Sequence, residues 1–200
     1  MNNLVSALIL AGGRSSRMGQ DKALVEFQGQ PMLRRVYEVA STCCSSVYLL
    51  TPWPERYVEI LPEAAQVLRE SAPHQGPLVA LCQGLTQIQT EWVLLLACDL
   101  PLLNPTILQD WIEQLTLSAN STFARVPYQN DNWEPLCGFY RHCLATNLQE
   151  FIEQGGRSFQ NWLDQIAAEP LVVNPNTAQM LHNCNTPADL QPTFRTLKSD

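Results

Sequence analysis

Leu4-Val-Ser-Ala-Leu-Ile-Leu10 runs directly into Ala11-Gly-Gly-Arg-Ser-Ser-Arg-Met-Gly-Gln-Asp-Lys22. The first part is a continuous apolar run with the length of a buried strand, and the second is a polar loop that opens with two glycines. A strand that is apolar along its whole length is typical of a parallel sheet covered by helices on both faces. The stretch therefore predicts an α/β protein that begins with a buried strand and a glycine-rich loop.

Strands and helices alternate through the first half of the chain. Further strands are predicted at Val47–Thr51, weakly at Gln66–Leu68, and at Trp92–Ala97. Helices are predicted after Pro31, from Gly76–Pro77, and from Asn104–Pro105, where Asn suits the N-cap and Pro the first turn.

After about residue 122 the pattern loosens. Strands are predicted at Phe123–Val126 and Leu136–Tyr140, helices at Cys143–Gln154 and Ser158–Ile166, and a late edge strand at Leu171–Val173. We therefore predict a mostly parallel sheet flanked by helices, in a single domain spanning residues 1–200.

The composition excludes several classes of protein. Hydrophobic residues make up 46% of the chain, which is enough for a substantial core, and the net charge of −7 argues against a nucleic-acid partner. No apolar run is long enough to span a bilayer and no basic leader precedes the first one, so we expect no membrane association and a cytoplasmic protein. The seven cysteines include no C-x-x-C pair, which predicts reduced thiols rather than a zinc or redox site.

The loop after the first strand has the chemistry of an anion site. Its glycines let backbone N–H groups approach a ligand, while Arg14, Arg17 and Lys22 can bond phosphate oxygens. It matches neither the Walker pattern G-x-x-x-x-G-K-[ST] nor the dinucleotide pattern G-x-G-x-x-G. The alternative is a tight Gly12–Gly13 turn with solvated basic residues, which the directly preceding buried strand makes less favourable.

A single carboxylate, Asp99, follows the strongest predicted strand. The carboxyl ends of parallel strands meet at one edge of a sheet, so Asp99 is expected beside the basic loop. A carboxylate there can hold Mg²⁺, which commonly binds one or two carboxylates together with substrate phosphates. The alternative is that Asp99 simply caps the segment that follows it.

The stretch Leu10–Lys22 resembles the L-A-G-G-x-S-x-R-M-G-x-D-K signature of the molybdenum cofactor guanylyltransferases. The fixed positions of that signature are all present, namely Gly12, Gly13, Ser15, Arg17, Met18, Gly19, Asp21 and Lys22 together with Leu10 and Ala11. Further similarities follow in order along the chain, at Gly76-Pro-Leu, Cys98-Asp-Leu-Pro, Glu134-Pro-Leu, Tyr140-Arg, Gly155-Gly-Arg-Ser and Asn183-Cys-Asn-Thr-Pro-Ala-Asp-Leu190.

This resemblance implies a Rossmann-like nucleotidyltransferase fold. It also implies a reaction that attaches GMP from GTP to the terminal phosphate of Mo-molybdopterin and releases pyrophosphate. In that reaction Leu10, Ala11, Gly12 and Gly13 would bind the nucleotide, Arg17 and Lys22 would act on the phosphates, and Asp99 would hold both Mg²⁺ and GTP.

The resemblance extends to further contacts and partners. Glu70 falls where the family often has Asp and is expected to bind GTP, and Thr51 lies near a position where some members have Asn. Asn183 and Asn185, in the C-terminal motif, are expected to bind molybdopterin. Molybdenum-insertion proteins and the acceptor molybdoenzymes are the implied protein partners.

Three alternatives stay open at this level. A molybdopterin cytidylyltransferase or a sugar-phosphate nucleotidyltransferase would use a similar loop, although cytidylyl members tend to open with G-A-G rather than L-A-G-G. A non-catalytic nucleotide-binding or chaperone module would keep the loop but would not need Asp99 with a metal. A metal-binding or thiol-redox protein is suggested by the seven cysteines but not by their spacing.

Overall fold

The computed structural model describes residues 4–13, 21–119 and 121–184 and is organised around an eight-stranded sheet. The strands of this sheet are β1 (Val5–Leu10), β4 (Val47–Thr51), β5 (Gln66–Arg69), β6 (Trp92–Ala97), β7 (Ala124–Gln129), β8 (Asn132–Trp133), β9 (Cys137–Arg141) and β10 (Glu169–Leu171). A separate small hairpin is formed by β2 (Glu26–Phe27) and β3 (Gln30–Pro31). The helices are α1 (Met32–Cys43), α2 (Pro77–Gln87), α3 (Pro105–Leu115), α4 (Leu144–Glu153), α5 (Phe159–Gln165) and α6 (Pro175–Met180).

The strand order is β10-β7-β9-β6-β1-β4-β5, with β8 paired to β7. Strands β6, β1, β4 and β5 are all parallel, and Leu10 lies level with both Leu50 and Ala97. These four strands therefore end at one edge of the sheet, which we call the carboxyl edge. The predicted mostly parallel sheet flanked by helices is confirmed.

One central strand departs from the parallel pattern. Strand β9 runs antiparallel to both β6 and β7, so it begins at the carboxyl edge. Only seven residues separate β7 from β9, and a parallel crossover needs a dozen or more. The chain therefore reverses direction through the short β8 hairpin.

Helices cover both faces of the sheet because the central strands are apolar on both sides. In β6 the side chains of Leu94 and Leu96 pack with α1 and α3, whereas those of Val93 and Leu95 pack with α2, α4 and α5. All four are fully buried. Within the described ranges, no helix combines the length and apolar character required to cross a membrane.

Helix α2 approaches β1 very closely at Gly84. A Cβ atom at this position would lie 2.1 Å from Cδ2 of the fully buried Leu8, so only glycine allows this packing. The helix begins at Pro77, directly after Gly76, and this end reaches the carboxyl edge.

The predicted elements agree closely with the structure in the parallel half. The bounds of Val47–Thr51 and Trp92–Ala97 are confirmed, and the Asn104 side chain caps α3 by accepting from the N–H of Thr106 and Ile107. The edge strand predicted at Leu171–Val173 is wrong by two residues, because Glu169 pairs with Arg125 of β7 while Val172 is exposed. The two-residue strands β2, β3 and β8 are too short to show a sequence period, and they were not predicted.

Candidate active site

A cleft of about 720 Å³ opens at the carboxyl edge of the sheet. Its walls come from the ends of β1, β5 and β6, the beginning of α2, and the residue before β9. The lining residues are Leu10, Ala11, Gly12, Gly13, Asp21, Lys22, Leu50, Glu70, His74, Gly76, Pro77, Ala80, Ala97, Cys98, Asp99 and Leu136. The cleft thus brings together all the predicted nucleotide contacts that lie in the described residues.

An ion pair between Lys22 and Asp99 lies in this cleft. Lys22 Nζ donates to Asp99 Oδ2 at 3.1 Å, although the two residues are 77 positions apart. Asp99 follows β6, and Lys22 begins a 3-10 turn after the β1 loop, so the sheet brings them to the same edge. Both side chains are largely buried, which excludes water and strengthens the attraction.

Some backbone groups at the start of the loop already form hydrogen bonds with neighbouring strands. The N–H of Ala11 donates to the Leu50 carbonyl at 3.1 Å, and the N–H of Cys98 donates to the Leu10 carbonyl at 3.3 Å. Gly12 and Gly13 come next in the loop, and their N–H groups donate to no other described residue, so they can bond a ligand in the cleft.

Glu70 lies directly across from the glycine loop. Its position follows the end of β5, and its N–H donates to the Thr51 carbonyl at 2.9 Å. A Cβ at Gly12 would lie only 2.6 Å from Glu70 Oε2, so the carboxylate and the loop backbone are in close contact. Burial raises the pKa of Glu70 above its ordinary value. Thr51 itself is buried outside the cleft lining, and its Oγ1 accepts from the Trp53 N–H.

Asp21 is a cleft residue for which the sequence predicted no role. Its Oδ1 accepts from the Ala23 N–H at 3.1 Å and caps the turn Lys22–Leu24. Its Oδ2 accepts from the Tyr57 hydroxyl at 2.8 Å and lies 3.8 Å from Arg56 Nη1. The signature motif could have pointed to Asp21, but no sequence pattern indicates that Tyr57 reaches it.

His74 and Leu136 were also not predicted as cleft residues. His74 lies in the connection before α2, with a positive φ of 68°, and its ring centre is 6.1 Å from that of Trp53. Leu136 precedes β9, and its carbonyl accepts from the Ala97 N–H at 2.9 Å. The direction of β9 places Leu136 here, which the sequence did not indicate.

The C-terminal motif reaches the same edge. The Cys184 N–H donates to the Asp99 carbonyl at 3.1 Å, which fixes Asn183 beside the metal-binding candidate. Asn183 Oδ1 is buried, and no other described residue is its hydrogen-bond partner. Arg17 and Asn185, which were also predicted as site residues, lie outside the described residues.

The donor set fits a magnesium ion that takes substrate phosphates as further ligands. In the described part of the chain, no three His, Cys, Asp or Glu side chains are close enough to form a complete metal cage. Mg²⁺ commonly uses only one or two carboxylates and completes its shell with phosphates and water. Asp99 can be such a ligand, because its charge faces the cleft beside Lys22.

The cysteine chemistry argues against a thiol-redox centre. Burial raises the pKa of Cys44 to about 12 and that of Cys137 to about 12. Cys98, in the cleft wall, has its pKa raised by burial and by the neighbouring Asp99. These thiols stay protonated near neutral pH and are poor nucleophiles.

Comparison with known proteins agrees with this site. The family model described as a MobA-like NTP transferase domain matches residues 7–169. A probable molybdenum cofactor guanylyltransferase from a Nostoc strain is 50% identical over 190 residues, which is 95% of this chain and 90% of that protein. Another from Synechococcus elongatus is 45% identical over 188 residues, covering 93% of this chain and 96% of the relative.

The fold has relatives among solved structures. Molybdopterin-guanine dinucleotide biosynthesis protein A from Archaeoglobus fulgidus superposes with a TM-score of 0.78 at 20% identity, covering 96% of this chain and 98% of its own. At this identity the likeness establishes the fold, whereas the family rests on the curated relatives and the domain match. With half of its residues identical to a relative over nearly its whole length, the chain belongs to the molybdenum cofactor guanylyltransferases and is a nucleotidyltransferase.

Proposed function

We propose that the protein transfers GMP from GTP to the terminal phosphate of Mo-molybdopterin, giving molybdopterin guanine dinucleotide cofactor and pyrophosphate. The observation that carries this proposal is the Lys22–Asp99 pair, which lies in a cleft beside Gly12 and Gly13. An ammonium, a carboxylate and loop amides that line a cleft are groups suited to a nucleoside triphosphate with its magnesium. Relatives named guanylyltransferases over nearly the whole chain supply the substrate class.

The reaction needs no protein nucleophile. An oxygen of the pterin phosphate attacks the α-phosphorus of GTP, and the bond between the α-phosphorus and the oxygen that bridges to the β-phosphorus breaks. Lys22 and the N–H groups of Gly12 and Gly13 bind phosphate oxygens, orient the chain of phosphates and offset its charge. Arg17 belongs to the same loop and is proposed to act on the phosphates as well.

Asp99 is proposed to hold Mg²⁺. When bound, the ion would neutralise charge on the reacting phosphates and on the departing pyrophosphate. The ion pair with Lys22 at 3.1 Å holds the Asp99 side chain in place before the substrate arrives.

Nucleotide binding is proposed to use the opposite wall of the cleft. Leu10, Ala11 and Gly12 lie at the end of β1, and Glu70 Oε2 is an acceptor close to Gly12. A site whose polar groups pair with one base leaves them unpaired with another, which penalises the wrong nucleotide strongly. We therefore expect GTP to be preferred over ATP.

The pterin is proposed to bind Asn183 and Asn185. Within the described ranges Asn183 Oδ1 is a buried acceptor without a hydrogen-bond partner, and the backbone N–H of the next residue donates to the Asp99 carbonyl. A cytoplasmic location, and contacts with molybdenum-insertion proteins and acceptor molybdoenzymes, are part of the same proposal.

A pyrophosphate-release assay with Mo-molybdopterin tests the function. GTP, CTP, ATP and UTP are compared in Mg²⁺ and in EDTA, and the products are separated by chromatography. We expect release only with the pterin, GTP and Mg²⁺ together, and at least about a hundredfold preference for GTP over ATP. Equal turnover of CTP would reassign the enzyme to cytidylyl transfer, and GTP binding without release would make the protein a carrier.

A further inference from the structure

The connection between β4 and β5 reaches over the end of the phosphate loop. Tyr57, in this connection, is only 1% exposed, and its hydroxyl donates to Asp21 Oδ2 at 2.8 Å. The guanidinium of Arg56 lies 4.2 Å from the centre of the Trp53 ring, and its Nη1 is 3.8 Å from the same Asp21 oxygen. Arg56 and Tyr57, which are neighbours in this connection, therefore both contact Oδ2 of Asp21.

The other oxygen of Asp21 is also engaged. Oδ1 accepts from the Ala23 N–H and caps the 3-10 turn that begins with Lys22. Because Asp21 precedes Lys22 directly, fixing the Asp21 side chain at both oxygens also fixes the backbone from which the Lys22 side chain extends. Lys22 in turn reaches Asp99 at 3.1 Å.

We propose that Tyr57 is a positioning residue for phosphate binding, acting through Asp21 on Lys22. This inference rests on the proposed function, in which Lys22 binds the phosphates of GTP. The role of Tyr57 is to keep Lys22 in its binding geometry before the nucleotide arrives, so that less ordering is required on binding.

The chemistry of the Tyr57 hydroxyl suits this role. Burial, and next the hydrogen bond and charge of Asp21, raise the pKa of Tyr57 above its ordinary value. The phenol therefore remains a neutral donor throughout the pH range in which an enzyme of this kind works. A hydrogen bond from such a donor to a carboxylate is stronger than one between neutral groups.

Tyr57→Phe removes only the hydroxyl. The measurement is the ratio of GTP affinity to guanosine affinity by calorimetry, because guanosine lacks the phosphates. We expect GTP affinity and kcat/KM to fall roughly tenfold, with guanosine affinity unchanged. A loss of packing alone would move the melting temperature but not this ratio.

Tyr140→Phe is a matched control. The Tyr140 hydroxyl is fully buried and donates to the Pro135 carbonyl at 2.8 Å, the same length as the Tyr57 bond, but it does not touch Asp21. This variant is expected to lose comparable stability and to keep the ratio of GTP to guanosine affinity.

A double-mutant cycle with Lys22→Ala completes the test. If Tyr57 acts through Lys22, Tyr57→Phe has no further effect once Lys22 is removed. Equal losses in both backgrounds, or an unchanged ratio in Tyr57→Phe alone, would overturn the inference. An unchanged ratio in Lys22→Ala would instead overturn the phosphate-binding role in the proposed function. Should Tyr57→Phe not fold, Asp21→Asn must lower the same ratio.

Discussion

The two edges of the sheet both carry an ion pair, and the pair at the carboxyl edge lines a cleft. At the carboxyl edge, Lys22 and Asp99 meet at 3.1 Å among lining residues that leave open space. At the opposite edge, Arg141 Nη1 donates to Glu91 at 2.7 Å, and the Arg141 guanidinium lies 4.7 Å from the centre of the Trp92 ring. Both pairs are short, so distance does not distinguish them.

The surroundings of the two pairs do distinguish them. Arg141 Nε also donates to the Thr122 carbonyl at 2.7 Å, and the Thr122 hydroxyl donates to Glu169 of β10. These bonds link Arg141 of β9 to the segment before β6, to the segment before β7 and, through Thr122, to β10. The carboxyl-edge pair instead borders Gly12 and Gly13, where a ligand can approach the backbone. An ion pair therefore indicates a binding site only when the adjacent backbone leaves room for a ligand.

Replacing Asp99 should show the difference between the two edges most clearly, because we expect it to affect activity much more than stability. Asp99→Asn keeps the size of the side chain but removes the charge that a hard cation needs. We expect kcat to fall by at least about a hundredfold, with GTP affinity and melting temperature changed little. Magnesium titrations of turnover provide the measurement, and normal turnover at limiting Mg²⁺ would make Asp99 a structural cap.

Lys22→Ala is expected to have the next largest effect. Loss of a charge-assisted contact to phosphate costs on the order of 1.5–3 kcal/mol, which lowers kcat/KM for GTP by roughly one to two orders of magnitude. Steady-state kinetics and a thermal melt test this. A kcat/KM near that of the wild type would remove Lys22 from the mechanism.

At the opposite edge the effect should fall on stability instead. Arg141→Met keeps the apolar stem but removes the bonds to Glu91 and the Thr122 carbonyl. We expect a loss of about 2 kcal/mol in the free energy of unfolding, with kcat/KM nearly unchanged. Urea unfolding measures the first and the GTP assay the second. If Arg141→Met lowered activity strongly without lowering the free energy of unfolding, the ion pair at the opposite edge would not be purely structural.

Asn183→Ala tests whether Asn183 binds the pterin or the nucleotide. Asn183 Oδ1 is buried and has no hydrogen-bond partner among the described residues, so its removal breaks no bond seen there and should cost little stability. If it bonds the pterin, acceptor affinity should fall about fivefold while GTP affinity is kept. Calorimetry with each ligand gives the answer, and a loss confined to GTP would move Asn183 to the nucleotide side.

The smallest effect concerns Glu70 and pH. Burial raises the pKa of Glu70, so folding favours the neutral carboxyl over the carboxylate. The neutral carboxyl therefore contributes to folding stability below the ordinary pKa of 4.5, and this stability is lost as the pH rises through the raised pKa. Glu70→Gln should therefore raise the melting temperature slightly at neutral pH but not below pH 4.5.

Glu55→Gln is the control for this prediction. The pKa of Glu55 is lowered, first by a hydrogen bond from its own backbone and also by Arg69, so its ionised form is favoured in the folded state. The pH dependence of this stability is therefore opposite to that of Glu70. The contribution of Glu55 is present above its unfolded pKa and is lost as the pH falls through its lowered folded pKa. Glu55→Gln should then give no gain at neutral pH, and a gain equal to that of Glu70→Gln would contradict the burial argument.

The sequence predicted the parallel half of the sheet, and it predicted that Asp99 lies beside the loop that carries Lys22. Both predictions have the same physical reason. Buried strands such as β1 and β6 are continuous apolar runs, and the polar residue after each must lie at the carboxyl edge. Lys22 and Asp99 could therefore be brought together from 77 positions apart.

Other features depend on geometry that no local pattern records. Tyr57 contacts Asp21 only because the β4–β5 connection folds over the loop, and Leu136 lines the cleft only because β9 is antiparallel. The edge strand β10 was placed two residues late because its pairing begins at Glu169 and Pro170, which carry no strand pattern, and ends at Leu171, the first residue of the predicted run.

The close contact at Gly84 has a consequence for the size of the cleft. Gly84 lies two helical turns along α2 from Pro77, which forms part of the cleft wall. Leu8 fills the space below Gly84 and is itself enclosed by the core, so an added methyl group would push the helix outward rather than be absorbed. The distance between the α2 wall and the β1 loop, and with it the width of the cleft, thus depends on the missing side chain at Gly84, a residue outside the cleft lining.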